Sequence, residues 1–339
     1  MVDISVIICT HNGASRLPMT LDAVVAQQVP AGVGWEVLLV DNASTDNTAA
    51  VAMQYASRSS APFRVLREAQ PGKLHALRLG AREATGCLIA VVDDDNILDP
   101  NWIATAIAFF QSHPQAGLIG GRVQPLFEIK PPPEVLPHVG LYAITDHGDQ
   151  DVCGIQPHGA GSVIRADLLR TIYFDIGTLL PGRVGKALGG GEDHEVATLV
   201  ELLGWECWYT PSLELQHAIP AARLRIEYLQ KILLDMAPTY PWLSLLSRMK
   251  AGKTSHIVWL LCQMAWQMKI FVRHVVRPAP KNGMLADNAQ WRTFYLRQIQ
   301  SEWRMLWRRR SIKGMQQRIG QFAVRHERVP ITATRGMVR

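Results

Sequence analysis

Short apolar, β-branched runs recur four times in the first hundred residues: Ser5–Cys9 (SVIIC), Glu36–Val40 (EVLLV), Phe63–Leu66 (FRVL) and Cys87–Val92 (CLIAVV). The stretches between them, Leu17–Gln27, Asp46–Ser57 and Gly72–Ala84, keep helical spacing instead. Strands apolar on both faces, alternating with helices, predict an α/β fold with a mostly parallel central sheet covered on each side. From about residue 117 to 157 the pattern turns irregular, with Pro131-Pro132-Pro133 marking an excursion. A small-residue turn, Pro157 to Ser162, and a glycine run, Gly189 to Gly191, follow. The glycines lead through Glu192-Asp193-His194-Glu195 into a helix-like run, Val196–Leu203, which reads as a mobile loop delivering carboxylates to a helix start. Trp208–Leu215 reads as a further strand, with His217 placed after it.

In open α/β sheets, ligands gather beyond the carboxyl ends of the strands, and here those ends are strongly polar. The first strand runs into Thr10-His11-Asn12-Gly13, the second into Asp41-Asn42-Ala43-Ser44-Thr45-Asp46, the fourth into Asp93-Asp94-Asp95-Asn96. Turn and cap chemistry accounts for residues such as Asp46 ahead of the second helix. It does not account for three adjacent carboxylates, whose mutual repulsion calls for a compensating hard cation. A D-x-D pair at a strand end can hold Mg2+ or Mn2+ and leave room for diphosphate oxygens. A separate carboxylate on the glycine-hinged loop is then placed to deprotonate a hydroxyl. Competing motifs fail: Gly252-Lys253-Thr254 lacks the upstream glycine of a P-loop, Gly159-Ala160-Gly161-Ser162 is no nucleophile elbow, and no G-x-G-x-x-G follows the first strand.

Composition adds a division to this picture. At 48% apolar and 19% charged over 339 residues, the chain can build a substantial core. Five scattered cysteines without a CxxC predict reduced thiols, and the opening Met1–Cys9 has neither the basic nor the apolar part of a secretory signal. Residues 1–219 hold 13 basic against 24 acidic side chains, whereas residues 220–339 hold 22 against 5. That asymmetry predicts a catalytic part, residues 1–219, and a basic, mostly helical part, residues 220–339, that meets an anionic surface. His256–Val276 is too polar for a confident membrane span, being broken by Gln263, Gln267 and Lys269. Leu296, Ile299, Trp303 and Leu306 keep helical spacing among Arg297, Arg304 and Arg308–Arg310, a composition suited to an anionic membrane interface. A helical cap on the catalytic part, or a dimer contact, is the competing reading; nucleic acid is not an expected partner.

The order of these motifs resembles glycosyltransferase family 2, with the GT-A fold, over roughly residues 3–218. The resemblance implies an inverting transfer of one sugar from a nucleotide-diphosphate sugar to a sugar or lipid-linked acceptor, in cell-surface polysaccharide or glycolipid assembly. It places Thr10, Asn12 and Asp41 at the nucleotide, with Asp41 on the base, and Lys73 near the phosphates. Asp93 and Asp94 fall at the donor, Asp95 and His217 at the metal, Gly159 and Ala160 facing the sugar. Gly191-Glu192-Asp193 is similar to the family's E-D motif, which makes Asp193 the base and Glu192 a donor-side residue. Two features depart from the pattern: Arg78 stands where the family often has Asn, and the Q-x-x-R-W of processive synthases is missing. A cytoplasmic enzyme, peripheral on the inner face of the cell membrane, is the corresponding expectation. A nucleotidyltransferase on a related fold and a non-catalytic carbohydrate- or lipid-binding protein are the alternatives.

Overall fold

In a computed structural model of the chain, residues 2–185, 188–252, 256–276, 284–285 and 287–326 are described. Lys253 and Thr254 of the P-loop-like sequence, and the last part of the basic region from residue 327, lie outside them.

The first half alternates as the pattern predicts: β1 (Ile4–Thr10), α1 (Leu17–Val25), β2 (Trp35–Asn42), α2 (Thr48–Ala56), β3 (Phe63–Glu68), α3 (Lys73–Glu83) and β4 (Leu88–Asp93). β5 (Asn96–Leu98), α4 (Trp102–Ser112), β6 (Ala116–Phe127), β7 (Val152–Cys153), β8 (Ser162–Arg165) and α5 (Ala166–Arg170) come next. They are followed by α6 (Glu192–Leu202) and β9 (Glu206–Ile219). The region expected to be irregular therefore begins with a twelve-residue strand, β6. Its Gly120-Gly121 pair hid it from the apolar pattern, and both glycines are needed: a Cβ on Gly121 would sit 1.7 Å from the Leu213 carbonyl oxygen, and one on Gly120 2.3 Å from Pro157.

The sheet runs β3-β2-β1-β4-β8-β6-β9-β5, with β7 added beside β9. The long pairings, β3 with β2, β2 with β1, β1 with β4 and β6 with β9, are parallel. The short partners β5, β7 and β8 run antiparallel to their neighbours. Residues 4–10, 37–40 and 88–92 are buried almost throughout, as a doubly covered sheet requires. One core, on the α1, α2 and α4 side, joins Val6, Ile8, Leu39, Trp102 and Phe110. The other joins Ile7, Leu38, Leu77 and Ile164 to α6 and to helices from the basic region.

That region forms α7 (Ile226–Met236), α8 (Tyr240–Lys250), α9 (His256–Val276), α10 (Asn288–Trp307) and α11 (Arg309–His326). Trp242, Leu245, Met305, Ile312, Met315 and Ile319 are buried in the second core. α8, α10 and α11 are thus a cap on the sheet's helical layer. No described helix is long and apolar enough to cross a membrane.

Candidate active site

The site is built where β1, β2, β4 and β9 end. β1 and β4 are in register from Ile4 with Leu88 to Cys9 with Asp93, so Thr10 and the aspartate triplet emerge side by side. Thr10 Oγ1 donates to Asp94 Oδ2 at 2.6 Å, and Arg16 Nη2 reaches the same oxygen at 2.8 Å. Asp93 lies 2.5 Å from Lys73 Nζ. Asp95 Oδ2 is 3.0 Å from Arg223 Nη1 and 3.4 Å from His217 Nε2. The repulsion inferred from the sequence is real, and in this structure each carboxylate meets its own basic partner.

These partners set the protonation states. Burial pushes the Asp94 carboxyl up, against the opposing pull of Arg16. Burial acts the same way on Asp95, but the His217 hydrogen bond and the Arg223 charge overcome it and hold that carboxyl well below the usual range. Lys73 is buried, yet the charge of Asp93 keeps its ammonium protonated beyond the ordinary value.

His217 is not after the last strand: β9 runs on to Ile219, and His217 pairs with Asn96 of β5. The strand passes through Pro211 and continues past Leu215, where the sequence reading ended it. His217 Nδ1 is 2.7 Å from the Tyr142 carbonyl oxygen. A carbonyl can only accept, so Nδ1 donates to it, while Nε2 faces Asp95. Burial works against a charged ring, but the Asp95 hydrogen bond and charge raise the His217 pKa, and loss of the Nε2 proton frees that nitrogen as a ligand. An imidazole nitrogen and a carboxylate oxygen 3.4 Å apart suit adjacent positions on one divalent ion.

The E-D residues do not precede their helix; they are its first turn, because α6 starts at Glu192. Gly191 sits at φ +101, a conformation that favours glycine, and a Cβ there would meet Thr239 at 2.6 Å. Asp193 Oδ2 accepts from Gly159 N at 3.0 Å, and Oδ1 from His194 N at 2.9 Å. Burial opposes ionisation of Asp193, but the neighbouring imidazoles of His194 and His158 and these backbone donors lower its pKa overall. Burial and the adjacent Asp193 charge raise Glu192 instead, and its Oε2 is buried without a hydrogen-bond partner among the described residues. Two neighbouring carboxyls driven in opposite directions assign ionised chemistry to Asp193 and the more proton-retaining character to Glu192.

Two cavities flank the triplet. One, of about 230 Å³, is lined by Thr10, His11, Arg16, Asn42 and Gly72. The other, of about 290 Å³, is lined by Tyr142, His158, Ala160, Asp193, His194 and His217. Lys73, Asp93, Asp95, Arg183 and Arg223 border both, so the cavities meet at the D-x-D residues. Gly159 and Ala160 line the second, whereas Gly161 is required for packing: its φ is +66 and a Cβ would lie 1.9 Å from Leu215 Cδ2. Asn12, at φ 49, has its Oδ1 taken by Thr45 N at 2.8 Å, and Asp41 is buried with Oδ1 accepting from Ser44 N at 3.0 Å. Both residues hold loops together at the rim; neither lines these two cavities. Arg78, at the departing position, donates to Thr178 Oγ1 at 3.2 Å.

Sequence reasoning missed Arg16, Arg183 and Arg223. No motif flags an isolated arginine, and Arg223 lies beyond the expected catalytic boundary at residue 219. His158 and His194 were also given no role. They place ligand atoms within 4.8 Å of each other and of an Asp193 oxygen, with the rings 5.3 Å apart, and help hold the Asp193 carboxyl down.

Known proteins resemble parts of this chain. Glycosyltransferase AglE of Haloferax volcanii is 30% identical over 121 residues, 36% of this chain and 39% of that protein. A PGL/p-HBAD biosynthesis glycosyltransferase of Mycobacterium tuberculosis is 32% identical over 120 residues, 35% of this chain and 46% of that protein. The chain thus spans less than half the length of these curated relatives. Among solved structures, mannosyltransferase PcManGT from Pyrobaculum calidifontis, in complex with GDP-Man and Mn2+, aligns at a TM-score of 0.48 and 19% identity, covering 90% of this chain and 87% of that one. The model of glycosyl transferase family 2 matches residues 5–171, which take in β1 to β4, the aspartate triplet and the Gly159–Ala160 turn, and the chain belongs to that family.

Proposed function

We propose that the chain is an inverting glycosyltransferase that moves one hexose from a nucleotide-diphosphate sugar to an acceptor hydroxyl. The observation that carries this reading is the meeting of two cavities at Asp93 and Asp95, with the ionised Asp193 facing the second. The Thr10, His11 and Asn42 cavity suits the nucleotide. Lys73, Arg183 and Arg223, at the junction, suit a diphosphate, which gains charge-assisted hydrogen bonds from each. Asp41 and Asn12 act at the nucleotide side by fixing the loops that shape it.

Asp95 and His217 would hold Mg2+ or Mn2+, whose charge stabilises the departing nucleotide diphosphate when it is bound. Asp193 takes the acceptor proton, because backbone donors and two imidazoles keep it ionised at neutral pH. Glu192, buried beside Lys73 and Arg183, contacts the donor sugar with its unpartnered oxygen. The acceptor oxygen, giving its proton to Asp193, bonds to the anomeric carbon on the face opposite the diphosphate as the bond from that carbon to the diphosphate breaks, so the nucleotide diphosphate leaves and inversion follows.

The acceptor we favour is a sugar or lipid-linked sugar of cell-surface polysaccharide or glycolipid assembly, met on the cytoplasmic face of the cell membrane. Residues 1–219 with the three-residue turn at Ala221–Arg223 form the catalytic unit in this reading, and residues beyond it support and locate it.

The test is binding of a panel of nucleoside diphosphates and their sugars by calorimetry, with and without Mn2+, to wild type and Asp95→Ala. Metal-dependent binding of one nucleotide, lost in Asp95→Ala, is the expected result. If no nucleotide binds under any metal condition, the reading fails.

A further inference from the structure

Seven of the large hydrophobic side chains that are exposed in the described structure lie on α9. Val258, Leu261, Ala265, Met268, Val272 and Val275 are all exposed and follow one another at spacings of three and four residues. At about 100° per residue they form one continuous stripe along the helix. The opposite face is fully used: Leu260 is in the core, Gln267 bonds to Glu302, and His274 stacks on Trp291 at 5.3 Å. Lys269 and Arg273, both exposed, border the stripe on one side, and Trp303 and Trp307 are exposed on the neighbouring α10. This differs from the sequence reading, which put the amphipathic stripe on α10 through Leu306. Leu306 and Met305 instead pack inward.

We propose that the α9 stripe is the surface that docks on an anionic lipid bilayer, with the helix lying in the plane of the interface. This deepens the membrane-facing part of the function proposed above, and it does not depend on the donor site. Charge selects the occupant. From residue 256 to 326 the chain has 13 Lys and Arg and only two acids, Asp287 and Glu302. Asp287 is used as the cap of α10, accepting from Gln290 N, and Glu302 is buried. A second copy offering its own α9 would bring basic side chains to basic side chains, with no carboxylate to match them. Anionic headgroups match Lys269 and Arg273, and the acyl boundary accepts the apolar stripe. A crossing is excluded for α9, which is not apolar enough to span.

The experiment is co-sedimentation of the whole protein with phosphatidylcholine vesicles and with vesicles containing phosphatidylglycerol, at low and high NaCl. The variants are Leu261→Glu combined with Val272→Glu, and Lys269→Glu combined with Arg273→Glu. All four positions are exposed, so circular dichroism is expected to show the wild-type fold in each. Wild type should favour the anionic vesicles by at least about tenfold, salt should weaken it, and each double variant should lose about tenfold or more. The inference is overturned if wild type ignores anionic vesicles, or if Leu261→Glu with Val272→Glu binds them like wild type. It is equally overturned if wild type is a dimer in gel filtration that this variant splits, which would make a second copy the occupant. Nucleotide binding measured on the same samples separates this outcome from failure of the donor site.

Discussion

Asp193 shows how a single carboxylate is prepared for the task proposed for it. It is a buried acid, and burial by itself favours the neutral form. Two backbone N–H groups, from Gly159 and His194, and the nearby rings of His158 and His194 reverse that preference. Each carboxylate oxygen takes one of these donors and keeps capacity for a further proton donor, which is what a base receiving an acceptor hydroxyl needs. Asn in place of Asp keeps the shape and one acceptor but loses the proton-accepting ability. Asp193→Asn is therefore expected to lower turnover by about 10²–10⁴-fold while nucleotide affinity stays at the wild-type value, read by steady-state kinetics beside calorimetry. Loss of nucleotide binding in that variant would assign Asp193 to the donor instead. Arg223 makes the complementary point: it is attached by a hydrogen bond to Asp95 but comes from beyond β9. Its role was invisible in sequence because arginine carries no motif, whereas three consecutive aspartates announced themselves.

At the scale of elements, the sequence was most legible where the periodicity was unbroken. β1, β2 and β4 are runs of buried apolar residues and were located to within about a residue or two, together with the polar ends that face the site. β6 was missed because glycines interrupt it, and β9 was ended at Leu215 because polar Gln216 and His217 follow; the strand character of both comes from pairing with each other along most of their length. The start of α6 was placed late for a related reason: Glu192, Asp193 and Glu195 look like a solvated loop, yet Glu195 is buried and accepts from Leu179 N and Leu180 N. The contact between α9 and α10 holds another polar group that no pattern predicts. Gln267 Nε2 donates to Glu302 Oε1 at 3.0 Å, while Gln267 Oε1 and Glu302 Oε2 are both buried and unpartnered among the described residues. Burial raises Glu302 to about 7, and a proton on it supplies a donor to a place with two idle acceptors. The folded-state pKa is above the unfolded one, so the stabilisation is fully present below the unfolded value near 4.5 and is lost as pH rises toward about 7. Glu302→Gln keeps a donor there at every pH. It is expected to raise the thermal midpoint above wild type at pH 8 and to leave it nearly unchanged at pH 4.5, by scanning fluorimetry. A constant difference across pH would show that Glu302 stays charged in the folded protein.

For the whole molecule, the acidic first part and the basic second part suggested separate tasks, and the structure spends part of that asymmetry internally. Arg223 pairs with Asp95 and Lys250 with Glu201 at 2.8 Å, each joining the two parts. Arg318 donates twice to the Ile176 carbonyl oxygen, at 2.9 and 2.6 Å, and Arg308 lies over the Trp242 ring at 5.3 Å. Beneath them Met305, Ile312, Met315 and Ile319 are buried in the same cluster as Ile7, Leu38 and Ile164 of the sheet. An appendage with its own core would unfold separately; a cap that completes the catalytic core cannot. Removing most of the Met315 or Ile319 side chain leaves a void next to α6 and the sheet, at a cost of about 2–5 kcal/mol. Met315→Ala and Ile319→Ala are therefore expected to shift one cooperative urea transition, seen alike by tryptophan fluorescence, which weights the cap, and by far-ultraviolet circular dichroism, which reports both parts. Two separated transitions, with only the first moved by the substitutions, would mean that the helices fold independently of the sheet. With a single transition, the helices that carry the α9 stripe are fixed rigidly to the carboxylates of the site, so docking at a surface also sets how the active cavity is presented to it.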